Sequence, residues 1–296
     1  MSNFTNFSIV ASFIGLWINS FFNELTQIII GFTLIFTFGI LHGANDLLLI
    51  QKSNPAKAKM KFTTLLIYYV MVVLLGALLF FFLPLVALVL FVIISAYHFG
   101  EQHWHELVKT KNQWINKLFY LTYGLLILSM LFYFDIEEVQ LIIKEISSFQ
   151  IHEQFIERNF YISLLIFASF FLFMLLKSKN LMPKMFKELF LLLVFAIIFK
   201  TSSLIWGFAL YFILWHSIPS LKDQISFLYG DFNIQLFKKY FQDAFIYWFV
   251  SLIGIFGLYF LFKNEQVFDA LFFSFLAAIT FPHVFVIIAM YKSKKN

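Results

Sequence analysis

The chain has no cysteine among its 296 residues. A disulfide framework and thiolate metal ligation are therefore excluded, and any bound metal has to be held by His, Asp or Glu. Charge is nearly as scarce. Asp, Glu, Lys and Arg together make 12% of the residues, and arginine occurs once, as Arg158, whereas an ordinary soluble domain is about a quarter charged. No internal repeat, low-complexity linker or separate soluble segment is visible, so a single domain over residues 1–296 is expected.

What is present is apolar. Hydrophobic residues make 61% of the chain, aromatics 22%, and the mean hydropathy is +0.87, a surface that only lipid tolerates as solvent. Apolar runs of about 18 residues or more recur, each long enough to cross a hydrocarbon core of roughly 30 Å as a helix. The stretch Ile9 to Phe22 lacks a basic leader and a small-residue cleavage site, and it reads as a span. The apolar run from Phe62 to Phe99 is too long for one crossing, with Pro84 at its hairpin. Phe186 to Pro219 must likewise fold back, at Lys200, Thr201, Ser202 and Ser203. The expectation is an all-α polytopic bundle of about 10 spans, near 7–22, 27–50, 63–82, 84–102, 117–134, 159–176, 187–200, 203–219, 244–262 and 268–290. Longer loops fall at 135–158 and 220–243.

The net charge of +5 sits in short loops and reports orientation, not nucleic acid, which is discarded as a partner. Lys52, Lys57, Lys59 and Lys61 follow the second span. Lys177, Lys179, Lys184 and Lys187 follow the sixth, and Lys292, Lys294 and Lys295 form the tail. With ten spans these fall on one side, so both termini are expected in the cytoplasm. The acidic loop of Asp135, Glu137, Glu138 and Glu145 falls on the other.

Ionisable residues inside a bilayer are costly and mark function by default. His42, His98, His216 and His283 lie near the cytoplasmic ends of spans two, four, eight and ten, which all run in one direction, so four imidazoles are expected at one depth. Asp46 follows His42 by one helical turn, placed to orient an imidazole through its second nitrogen. Gly43 and Gly100 leave room beside His42 and His98 for a helix or a ligand. Pro219 and Pro282 are expected to break or kink their helices. Tyr97, Trp104 and Trp215 read as pocket lining or as interfacial anchors. His103 and His105, beside Glu101, Gln102 and Glu106, read as solvated interfacial residues, and His152 in an outer loop is assigned no chemistry. Four neutral imidazoles suit iron, copper or zinc. A haem pair stays open, as does a transporter, while the histidine boxes of membrane desaturases are absent.

Gly39-x-x-His42-Gly43-Ala44-x-Asp46, Tyr97-His98-Phe99-Gly100, Trp215-His216-Ser217 and Pro282-His283 resemble the four signatures of the Brp/Blh family of membrane β-carotene 15,15'-dioxygenases, in family order. The resemblance implies a multi-pass enzyme of the bacterial inner membrane that uses Fe(2+) and O2 to split the central double bond of β-carotene into two retinal molecules. It also implies a functional link to a rhodopsin. It makes His42, His98 and His216 iron ligands, with His283 completing the shell or the iron keeping three protein ligands. Where some members carry a second histidine four positions after the one matching His216, this chain has Ser220. The rival reading is a carotenoid or retinal binder without catalysis.

Overall fold

The computed structural model of the chain describes residues 3–54, 60–178, 181–261 and 265–294, and every regular element among them is a helix. Lys57, Lys59, Lys179 and Lys295, part of the basic segments used for orientation, lie outside the described residues. The helices are α1 (Asn3–Asn19), α2 (Glu24–Leu34), α3 (Asp46–Ser53), α4 (Phe62–Phe82), α5 (Pro84–Trp104), α6 (Gln113–Phe134), α7 (Ile136–Ser147), α8 (Glu153–Lys177), α9 (Met185–Lys200), α10 (Leu204–Tyr211), α11 (Ile218–Tyr229), α12 (Ile234–Leu261) and α13 (Glu265–Ser293).

Seven helical stretches among the described residues are long and apolar enough to cross a membrane: Phe62–Phe82, Pro84–Trp104, Gln113–Phe134, Glu153–Lys177, Leu204–Tyr229, Ile234–Gly257 and Ser274–Ser293. The chain is therefore a membrane protein. α4 leaves Met71, Leu74, Leu75, Leu78, Phe81 and Phe82 exposed, and holding such side chains in water instead of an apolar medium costs about 1.5–3 kcal/mol each. The spans expected at 7–22 and 187–200 are helices of 17 and 16 residues, at and just below the short end of the lengths that cross a bilayer.

Four features differ from a simple reading of apolar runs and prolines. Residues 135–158 and 220–243 are largely helical: α7 occupies the first stretch, and α11 and α12 the second. In α7 the charged Glu137, Glu138 and Glu145 alternate with Val139 and Ile142, which are buried. Such an amphipathic pattern resembles a loop when only long apolar runs are sought. The eighth span continues past Pro219 to Tyr229 and stops at Gly230, whose φ of 94° places it in the left-handed region that glycine adopts without steric penalty. The chain also stays helical through Pro282. By contrast, the helix expected over 27–50 is interrupted by a turn at residues 42–45.

The contacts group into two compact units. The first holds residues up to Leu34, Val92–Leu141 and Gln150–His216. In it α6 packs along α8, α2 along α10, and α9 against α1, α6 and α10. Its centre is aromatic: Trp104 sits edge-on against Phe119 and Tyr123, and Phe119 lies near Phe167. The second unit holds Ile35–Phe91, Ile142–Phe149 and the residues from Ser217 onward. Here α13 packs along α4 and α3, while α11 packs against α3 and α12. Leu49, Val286, Ile287, Met290 and Tyr291 form one core cluster, and Leu41, Leu221, Ile225, Tyr240 and Ala244 another.

Candidate metal centre

In the second unit, His42 and His283 form a pair. The backbone leading to His42 widens into a π-helical turn at Ile35–Gly39, a distortion that releases carbonyls from the regular ladder and recurs at functional sites. The released groups find donors. The Trp248 indole donates to the Thr37 carbonyl at 2.9 Å, and the Gly39 carbonyl accepts from His42 Nδ1. Because a carbonyl can only accept, His42 carries its proton on Nδ1 and its lone pair on Nε2.

The turn at 42–45 is stabilised from α12. The Tyr240 hydroxyl donates to Gln224 Oε1 at 2.7 Å and lies 3.3 Å from the His42 carbonyl oxygen. Asn45 Nδ2 donates to the Tyr240 carbonyl at 2.9 Å, and Gln224 Nε2 to Ser220 Oγ at 3.0 Å. Tyr240, Gln224 and Ser220 are all fully buried, so Ser220 serves this network. Tyr240→Phe removes one hydroxyl and leaves a buried amide oxygen without its donor, a loss of about 1–3 kcal/mol. The expected result is a lower thermal midpoint in detergent, measured against wild type, while a Tyr229→Phe control at the exposed contact with Asp243 changes little.

His283, on α13, stands edge-on to His42, with ring centroids 4.8 Å apart and planes at 89°; nitrogen atoms of the two rings lie within 4.8 Å. Its Nδ1 donates to Asp46 Oδ1 at 2.8 Å, which again leaves the lone pair on Nε2. Asp46 thus orients His283 and not His42, its expected partner, because the turn at 42–45 breaks the helical register that would have put Asp46 on the face of His42. Gly43 abuts the same ring: a Cβ there would lie 3.4 Å from His283 Nδ1, at van der Waals contact, so a side chain longer than a methyl would meet the imidazole.

In the first unit, His98 and His216 form the other pair, with centroids 4.6 Å apart and planes at 77°. His98 lies on α5. His216 lies in a second π-helical turn, Phe212–Ser217. The wide turn follows from Pro219, which cannot donate to the carbonyl four residues back and whose ring would clash with it in a regular helix. α1 supports this turn: Ser8 Oγ donates to the Leu214 carbonyl at 3.3 Å, and Trp215 Nε1 donates to Ser12 Oγ at 3.0 Å. Trp215 is consequently buried and anchored, not interfacial. Phe99 lies 4.6 Å from the His216 ring and Phe212 stacks on it at 5.5 Å and 19°, an apolar wall beside the imidazoles.

The remaining histidines separate. His103, expected to be solvated, is held in the first unit: its Nε2 lies 2.8 Å from Oε2 of the buried Glu188, and its ring stacks on Tyr123 at 4.8 Å. Sequence reasoning missed this because Glu188 is 85 residues away along the chain. His105 is buried, with Nδ1 near the Glu101 and Gln102 carbonyls. Tyr97 donates to Glu101 Oε1 at 2.6 Å, and Trp104 is buried. His152 is exposed at the start of α8.

Each unit holds two buried imidazoles in a near-perpendicular pair, with exposures between 1% and 6%, and in the pair of the second unit both Nδ1 atoms are committed to oxygen acceptors. That is the outer-partner arrangement of metal-ligating histidines, which fixes the ring and presents Nε2. Neutral nitrogen donors of this kind suit a first-row divalent ion. Residues 33–291 match the family model described as "Beta-carotene 15,15'-dioxygenase". No curated protein and no solved structure matches.

Proposed function

The chain belongs to the beta-carotene 15,15'-dioxygenase family, and from that premise we propose that it splits the central double bond of β-carotene with dioxygen, giving two molecules of retinal. His42, His98, His216 and His283 hold iron(II), with Asp46 behind His283. The observation that carries this reading is the pair in the second unit, where Gly39 and Asp46 set both tautomers. Donor chemistry fits the ion: four neutral imidazoles leave positions open on a six-coordinate metal. Bound iron(II) would supply the activation of dioxygen.

The chain's own residues do the rest. A polyene offers no hydrogen-bonding group, so it is recognised by shape and dispersion. Phe99 and Phe212 beside His216 provide such a wall and keep water from the reacting carbons. One polyene and one dioxygen yield two aldehydes, each receiving one oxygen atom, so the balance closes without a reductant or an organic cosubstrate. The substrate is dissolved in the bilayer and enters laterally. The 1–296 chain acts as one membrane domain of about ten spans with both termini in the cytoplasm, a reading supported by Lys52, Lys184, Lys187, Lys292 and Lys294 between and after the spans. Its place is the bacterial inner membrane, and the retinal it makes serves a rhodopsin.

Expression in cells that accumulate β-carotene tests the reading. Loss of colour with formation of retinal is expected. Persistent colour with carotenoid copurifying would replace the enzyme with a binder, and a Soret band in the pure protein would replace iron with haem.

A further inference from the structure

We infer that Tyr69 is a positioning residue of this centre: its hydroxyl locks the Asp46 carboxylate, and through it the ring of His283. The inference rests on the reading above that His283 is a ligand. Asp46 is 2% exposed, and burying a carboxylate so deeply is costly unless its oxygens are hydrogen-bonded. Each oxygen has one donor. His283 Nδ1 donates to Oδ1 at 2.8 Å, and Tyr69 Oη donates to Oδ2 at 2.8 Å.

The three residues come from three helices of the second unit: Asp46 is the first residue of α3, Tyr69 lies in α4 and His283 in α13. A carboxylate held by one donor can still rotate about its Cβ–Cγ bond. Held by one donor on each oxygen, its plane is fixed. Tyr69 therefore determines where Oδ1 points, Oδ1 determines the angle and tautomer of His283, and the tautomer puts the lone pair on Nε2. Charge-assisted bonds of this kind are also the stronger ones. The adjacent Tyr68 provides the contrast, since it is exposed at 57% and faces outward like the lipid-exposed residues of α4. An aromatic residue in a span ordinarily reads as packing or as an anchor. Only the fold reveals that Tyr69 presents a hydroxyl to a carboxylate 23 residues earlier in the chain.

Two measurements on the full-length protein in lipid test the inference. The first is solid-state nitrogen NMR of the metal-free protein labelled at histidine, with the His283 signals identified by their loss in His283→Asn. Wild type should show a single His283 species with a proton on Nδ1, and Tyr69→Phe should lose that single species. The second is affinity for Co(2+), used as a spectroscopic probe for the divalent ion. Tyr69→Phe should weaken it measurably, by less than the about tenfold to hundredfold that removing the histidine's own outer partner costs. Tyr68→Phe should alter neither. Phenylalanine keeps the ring and its packing, and monodisperse elution of the variant confirms that it is folded. An unchanged His283 signal in Tyr69→Phe overturns the inference, and so does a changed signal with unchanged affinity, because Tyr69 would then orient a ring that no ion uses. A wild-type protein that takes up no ion overturns the ligand reading itself and this inference with it, whatever the spectra show.

Discussion

His283→Asn is expected to lose both the bound ion and the formation of retinal, by more than the about 10–100-fold that loss of an outer partner costs, because it removes a donor atom outright. Asparagine is the informative replacement. Alanine would also strip the buried Asp46 of its Nδ1–H donor, and a buried carboxylate oxygen left without a donor destabilises the fold on its own account. An asparagine amide can still donate to Oδ1 while offering nothing where Nε2 stood. Metal analysis and chromatographic retinal assay of His42→Asn, His98→Asn, His216→Asn and His283→Asn should therefore show four losses in proteins that remain folded. If His283→Asn keeps the ion and the activity, the iron has three histidine ligands, and the His283–Asp46 contact is structural.

The individual histidines were legible in the sequence because an ionisable side chain is conspicuous within an apolar run. Their pairing was not. His42 with His283, and His98 with His216, depend on which helices lie side by side, and spacing along the chain contains no such information when the partners are more than a hundred residues apart. Asp46 shows the limit sharply. Counting four residues from His42 is sound helix geometry, yet the chain is not helical between them, and the π-helical turn at Ile35–Gly39 with the turn at 42–45 hands the carboxylate to another ring. Such turns add one residue to a helical repeat and leave hydropathy unchanged, so no apolar pattern reveals them. The second one, at Phe212–Ser217, had a visible cause in Pro219, where the helix was expected to break or kink, and the chain distorts there without breaking. Breaks between elements were easier. The gaps between Phe82 and Pro84 and between Lys200 and Leu204 fall where length and polarity required them.

Gly100→Ala should be the most damaging single-methyl change in the first unit, and Gly124→Ala should match it. A Cβ built on Gly100 would lie 1.8 Å from the Tyr120 carbonyl oxygen, and one on Gly124 would lie 1.7 Å from that of Ala96. Both distances are far inside van der Waals contact, and the atoms met are backbone, which cannot rotate aside. α5 and α6 thus touch main chain to main chain, Ala96 and Gly100 on one helix facing Gly124 and the backbone of Tyr120 on the other, the close approach that small residues permit in membranes. An added methyl must push the helices apart, which costs about 1–3 kcal/mol in ordinary cores and more where the obstacle is rigid, and it also removes the weak Cα–H···O contacts of the crossing. His98 sits two residues before Gly100 on the displaced helix, so its 4.6 Å approach to His216 would be lost along with stability. Thermal unfolding in detergent and metal content should fall together in either variant. Gly254→Ala and Gly257→Ala are the controls, since nothing lies within 4 Å of a Cβ at either position, and alanine there should stabilise the helix by up to about 1 kcal/mol. A tolerated Gly100→Ala would mean that α5 and α6 are farther apart in the bilayer than this crossing requires.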